Sequence, residues 1–130
     1  MKHLLPQEAW ALVQQQDDAL FIDVRMEIES KYVGRPPGVV NIPWVEYPVL
    51  KPDAAGFVAA VDRLARAKDQ TLVLICRSGE RTVDAGIALE TAGYTQVVNV
   101  LEGFEGDLDD SHHRNSHNGW RFDGLPWAQT

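Results

Sequence analysis

Four short runs of branched apolar residues constrain this chain more than any other feature: Leu20 to Val24, Val39 to Ile42, Leu72 to Ile75 and Val97 to Val100. Each is nearly continuous in Val, Ile and Leu rather than alternating with polar residues, the mark of a strand buried on both faces. A weaker fifth run lies at His3 to Leu5, just before Pro6. Helical patterns fill the gaps between them. Pro6 to Gln15 has proline in its first turn and Ala9, Leu12 and Val13 on one face. Asp53 to Ala67 opens on a capping residue and carries Phe57, Val58, Val61, Leu64 and Ala65 as one stripe. A third helix is expected from about Gly79 to Ala92, stopped by Gly93. Strands alternating with helices make a parallel sheet covered on both faces. Such sheets bind ligands beyond the carboxyl ends of their strands. Two of those ends carry reactive or charged residues, Asp23-Val24-Arg25 and the run from Cys76 to Thr82.

Composition narrows the function classes. The 130 residues hold 12 basic and 19 acidic side chains, a net charge of −7. An anionic surface of that kind argues against nucleic acid or an anionic membrane as partner. No apolar run approaches the roughly 20 residues that span a bilayer, and the first residues lack a signal-peptide core. A cytoplasmic location, with the thiol kept reduced, is the expectation. The single cysteine excludes an intrachain disulfide, a CxxC redox pair and a cysteine-cluster zinc site. One domain over residues 1–130 is expected, with a core at about 5–104 and an extension from about 105 packed on it. That extension starts acidic, with five acids and no base between Leu101 and Asp110, and ends with Trp120, Leu125 and Trp127. The tryptophans favour an ordered segment over a disordered tail.

The run Ile75-Cys76-Arg77-Ser78-Gly79-Glu80-Arg81-Thr82 joins a buried strand to a helix. Backbone N–H groups of such a loop and of the first helical turn point at whatever occupies its centre. Gly79 permits a tight turn, and Arg77 and Arg81 add two positive charges. A thiol there feels amides, helix dipole and guanidiniums together, so its pKa is expected to fall from about 8.5 toward the roughly 3.5–7.5 of activated cysteines. The loop can present a thiolate nucleophile or cradle an oxyanion. A lone cysteine at a strand end is ordinarily a small buried hydrophobe; it is the neighbours that make this one a candidate.

Taken together, Asp23-Val24-Arg25, the stretch from Gly34 ending Asn41-Ile42-Pro43, the Cys76 to Thr82 loop, and Ala92-Gly93-Tyr94 followed by Val97 to Val100 and Gly103 resemble a single-domain rhodanese. The resemblance covers about residues 5–104, and Gly119-Trp120 and Gly124 to Trp127 resemble the ending of many such domains. It implies a three-layer α/β/α fold with a five-stranded parallel sheet in order 1-5-4-2-3. It also implies a sulfurtransferase that needs no cofactor and no metal. Cys76 would carry sulfane sulfur as a persulfide, taken from a small donor such as thiosulfate and passed to a thiophilic acceptor, either cyanide, a thiol or an acceptor protein. Arg77, Ser78, Gly79, Glu80, Arg81 and Thr82 would bind substrate, and Asp23 and Arg25 would support the loop. Gly34-Arg35-Pro36-Pro37-Gly38-Val39 departs from the commoner pattern, and Arg35 is expected to alter the pocket rim.

Two rivals remain open at the level of sequence. A non-catalytic partner-binding module would use the loop as a recognition surface, and a cysteine phosphatase would use the same thiolate on phosphate. The spacing here is Cys-x4-Arg from Cys76 to Arg81, whereas the related phosphatases resemble Cys-x5-Arg, with His before the Cys where this chain has Ile75. A shorter loop draws the amide ring inward, to the size of one sulfur atom. His112, His113 and His117 read as exposed or loop-ordering, not as metal ligands. Trp10, Trp44, Tyr32 and Tyr94 are expected to be structural.

Overall fold

A computed structural model describes residues 1–130. Five parallel strands form one sheet in the order β1-β5-β4-β2-β3: β1 (Lys2–Leu4), β2 (Leu20–Asp23), β3 (Val40–Asn41), β4 (Leu72–Ile75) and β5 (Val97–Val100). The helices are α1 (Pro6–Gln15), α2 (Ala54–Asp62) and α3 (Arg81–Thr91), with a π-helical turn at Glu29–Val33 between β2 and β3. The strand order and the layers around it are those the resemblance implied.

The pleat of the central strand β4 sorts its side chains into two cores. Leu72 and Leu74, with Cys76 beyond the strand end, join Ile22, Val24, Trp44, Phe57, Val61, Ala85 and Leu89 under α2 and α3. Val73 and Ile75 face the other way, into a cluster with Ala9, Phe21, Val98, Val100, Phe104 and Trp120. That second cluster has only α1 as a helix, so the segment after β5 supplies much of the covering layer. Trp120 is fully buried there, edge-on to Trp10 at 5.6 Å between ring centroids and 5.7 Å from Phe21.

Element ends depart from the sequence expectation for local reasons. β1 lies one residue earlier than expected, since Leu5 gives its N–H to the Glu8 carboxylate and so belongs to the start of α1. β3 is shorter than expected, Val40–Asn41, although Ile42 N–H still reaches the Asp23 carbonyl and Trp44 N–H the Val24 carbonyl. α2 starts where expected, with Asp53 accepting the Gly56 N–H at 3.0 Å, but ends at Asp62 and not at Ala67. α3 starts at Arg81, two residues later than the expected Gly79 start, which leaves a longer loop behind Cys76. Tyr94 is buried against the first core, but Tyr32 is 62% exposed and contributes no packing of note. No helix is long and apolar enough to cross a membrane.

Candidate active site

β4 ends at Ile75 on the carboxyl edge of the sheet, and residues 76–80 lead into α3. Cys76 lies at the floor of this loop, 1% exposed. Its Sγ accepts the Gly79 N–H at 3.1 Å and stands 3.6 Å from the Thr82 hydroxyl, itself buried at the first turn of α3. The N–H of Gly79 reaches back to the sulfur because the residue sits at φ +97°, a left-handed conformation that favours glycine.

The loop's carbonyls are taken from behind. Phe104 donates its N–H to the Cys76 carbonyl at 2.8 Å and Glu105 donates to that of Arg77 at 2.9 Å. The approach requires Gly103, where a Cβ would come within 2.5 Å of the Arg77 carbonyl carbon. The N–H groups of Arg77, Ser78 and Glu80, by contrast, have no acceptor in the protein. With the Cys76 and Arg77 carbonyls taken, these donors and those of the first turn of α3 are left for an anion at the loop. Sequence reasoning missed the part played by residues 103–105.

Asp23 and Arg25 stand at the end of β2, both fully buried. Asp23 accepts from the Arg25 backbone N–H, from Nε at 2.9 Å and from Nη2 at 2.7 Å, while Nη2 also reaches the Gly34 carbonyl at 2.6 Å. The guanidinium lies 4.6 Å over the Phe104 ring. The backbone of Phe104 holds the Cys76 carbonyl, so this pair reaches the loop through one residue and not by touching the sulfur. Asn41 completes the scaffold by donating to the carbonyls of Asp23 and Arg25.

The two loop arginines differ. Arg77 is exposed and makes no ion pair. Arg81 does not stand free: its Nη1 and Nη2 donate to the two carboxylate oxygens of Glu29 at 2.7 and 2.9 Å. Burial pushes the Glu29 carboxyl up, but the Arg81 hydrogen bond and charge, the Met26 N–H and the charge of Arg25 outweigh it and hold the group below its ordinary value. The Glu29 hydrogen bond, against the opposing effect of burial, raises Arg81 further, aided by the charges of Glu29, Cys76 and Asp23. Glu29 was absent from the sequence-predicted site. The available signal was an acid four residues past Arg25, just beyond a strand's carboxyl end. Glu80 is exposed and Ser78 half-buried, and neither side chain makes a hydrogen bond.

The C-terminal segment fastens the turn that carries Glu29. Arg121 donates from Nη1 to the Val33 carbonyl at 2.9 Å while its guanidinium lies about 5 Å over both Phe104 and Trp127. Arg35 and Ala128 exchange backbone hydrogen bonds as an antiparallel bridge, Thr130 N–H reaches the Lys31 carbonyl, and Arg35 Nη1 reaches Ser30 O and Thr130 Oγ1. Arg35 is therefore bound up with the tail. His112, His113 and His117 are exposed, and nowhere do three His, Cys, Asp or Glu side chains gather as a metal site.

Residues 5–109 match the Rhodanese-like domain family, and the chain belongs to that family. The crystal structure of Rv0390 from M. tuberculosis is similar at 34% sequence identity and a TM-score of 0.86, over 100% of this chain and 98% of that one. An uncharacterized protein of Rickettsia conorii is 26% identical over 129 residues, covering 98% of this chain and 97% of the relative. The polysulfide-sulfur transferase homodimer of Wolinella succinogenes shares the fold, with a TM-score of 0.68 at 21% identity, over 100% of this chain and 80% of that one.

Proposed function

We propose that the chain transfers sulfane sulfur through a persulfide on Cys76, from a donor such as thiosulfate to a thiophilic acceptor, either cyanide, a small thiol or an acceptor protein. The observation that carries this is a buried Sγ that already accepts the Gly79 N–H, in a loop whose Arg77, Ser78 and Glu80 N–H groups have no acceptor in the protein. In the first step the Cys76 thiolate attacks the outer sulfur of thiosulfate. The Sγ–S bond forms as the donor's S–S bond breaks, and sulfite leaves with the electron pair. The outer sulfur of the persulfide then lies where the amides can hold its negative charge. An acceptor nucleophile removes that sulfur and regenerates the thiolate. No second cysteine exists to resolve an intermediate as a disulfide, which disfavours dithiol redox chemistry.

Electrospray mass spectrometry of the intact protein after thiosulfate treatment tests this directly. One added sulfur, lost on addition of cyanide, is expected, with no addition to Cys76→Ser. Sulfur transfer that survives Cys76→Ser would end the proposal. A phosphatase is the lesser reading on the Cys-x4-Arg spacing, and hydrolysis of an aryl phosphate by the wild-type chain, lost in Cys76→Ser, would restore it.

A further inference from the structure

A dianionic donor has to bring two negative charges up to a thiolate, so the cations that meet it decide how well it binds. The cradle offers two, and one is spoken for. Arg81 places both of its Nη groups on Glu29. Glu29 is no freely swinging competitor: its Oε1 also accepts the Met26 N–H at 3.1 Å, and the Glu29 and Ser30 N–H groups close back on the Met26 carbonyl. Freeing Arg81 for a substrate therefore means breaking a carboxylate held by three hydrogen bonds. Arg77 and Arg81 are balanced by Glu80 and Glu29, four charges that cancel to zero, as does the buried Asp23–Arg25 pair beside them.

The same turn opens onto apolar surface. From Met26 a groove of about 560 Å³ runs along Ile28, Tyr47 and Leu50, with Glu27 and Glu46 beside it. Ile28, Tyr47 and Leu50 are each more than half exposed. Inorganic thiosulfate has nothing to place there, whereas an organic donor has. Glu27 faces Lys31 at 3.1 Å, and the two Glu46 oxygens accept the N–H groups of Glu27 and Tyr47, so the groove wall offers no free cation either.

We propose that Glu29 determines donor specificity: by neutralising Arg81 it sets the mouth against dianionic inorganic donors and in favour of organic donors of lower charge, whose apolar part rests in the groove from Met26 to Leu50. The proposal rests on the sulfurtransferase reading above and names its substrate class. With an aryl thiosulfonate the step balances as it does with thiosulfate. The thiolate attacks the terminal sulfur, the donor's S–S bond breaks, and the aryl sulfinate leaves with the electron pair. Persulfide and sulfinate together carry the same two charges as thiolate and donor.

The test compares thiosulfate with benzenethiosulfonate, a monoanion, on the full chain and on Glu29→Gln. Electrostatic energy is linear in ligand charge, so whatever factor the lost carboxylate yields for the monoanion should be squared for the dianion. A roughly threefold gain in kcat/KM for benzenethiosulfonate then goes with a roughly ninefold gain for thiosulfate. A change in Cys76 reactivity would multiply both donors alike, so the ratio is the readout. Equal factors for the two donors, or no gain for thiosulfate, overturn the proposal. The wild-type chain gives a second measurement in case the variant folds poorly. Its kcat/KM for thiosulfate should stay level or rise with added salt, and a steep fall would mean that the mouth attracts the dianion, which overturns the proposal. If neither donor leaves sulfur on Cys76, the sulfurtransferase reading fails and this proposal falls with it. If both donors do and only the ratio test fails, the sulfurtransferase reading stands without this refinement.

Discussion

Two arginine–carboxylate pairs flank the cysteine loop, and they differ in almost everything except chemistry. Asp23 and Arg25 are two residues apart and have no exposed side-chain surface. Glu29 and Arg81 are 52 residues apart, join two segments across the mouth, and keep 13% and 23% of their side-chain surface exposed. The first pair has no route by which a solute could exchange with it, and its arginine also holds Gly34 and packs on Phe104. The second lies at the rim and keeps part of its surface in solvent, so its charge balance is felt by what approaches the mouth. Burial, not residue type, decides which pair is scaffold and which tunes the site. A buried ion pair contributes little over an apolar replacement, but removing one partner strands a charge without solvent.

The largest effect is therefore expected at Arg25. Arg25→Ala leaves the Asp23 carboxylate buried without its cation and should cost about 3–5 kcal/mol, read from urea unfolding. Asp23→Asn combined with Arg25→Met should recover much of that loss, because no charge is then stranded. A single-variant loss under about 1 kcal/mol would erase the distinction between the pairs. Arg121 comes next. Its guanidinium links the Phe104 ring, which lies under Arg25, to the carbonyl of Val33 in the turn that carries Glu29. Arg121→Ala should cost about 2 kcal/mol and should loosen the mouth pair more than the buried one. Hydrogen exchange that speeds up in residues 29–33 ahead of those near Asp23 would support this, and uniform acceleration would count against it.

The buried half of this comparison was legible in the sequence and the exposed half was not. Asp23-Val24-Arg25 sits at the end of an unbroken apolar strand, so an internal ion pair supporting the loop was expected there; the pair is buried, with Arg25 Nη1 left unpaired. Cys76 was fixed in the same way, by the strand before it and the Gly79 turn after it. The Glu29–Arg81 pair depends on where a π-helical turn carries an acid across 52 residues of chain, and neither hydrophobic period nor turn residues encode that. Gly103 was visible as a glycine, but its role, passing close enough under Arg77 for Phe104 to take the Cys76 carbonyl, needs the packed tail. Trp120 was expected as an anchor and is one. Trp127 is 43% exposed, so it shields Gly34 from one side and is not sunk in the core.

The mouth pair carries its own pH signature. The Glu29 carboxyl lies below its ordinary 4.5 in the folded chain, so its contribution is complete above that value and is lost as the pH falls through the lowered one. Glu29→Gln should cost about 1–2 kcal/mol at neutral pH. The gap between wild type and variant should narrow steadily in acid, because the variant has no carboxyl to protonate. A gap that stays constant with pH would show that the lost stability is packing and not charge.

The smallest expected effect comes from a pair remote from the loop. The Tyr94 hydroxyl, three residues past α3, donates to the Asp62 carboxylate at the end of α2. Burial, then the hydrogen bond and charge of Asp62, push the Tyr94 phenol from 10.0 up to about 12. Asp62 is lowered in turn, chiefly by the same hydrogen bond and, against burial, by Lys68. Because the folded value is the higher one, this contribution is complete below about pH 10 and disappears as the pH rises through about 12. Tyr94→Phe keeps the ring under the Lys68 ammonium, 4.2 Å from its centroid, and removes only the hydroxyl. The variant should be slightly less stable than wild type at neutral pH, and the difference should shrink in alkali as the wild-type phenol ionises. Its ratio of thiosulfate to benzenethiosulfonate activity should match that of the unaltered chain. This makes Tyr94→Phe the control for Glu29→Gln: both weaken a carboxylate hydrogen bond, and only the one at the mouth should change which donor is preferred. A shifted donor ratio in Tyr94→Phe would mean that the ratio follows stability in general, and the specificity assigned to Glu29 would lose its support.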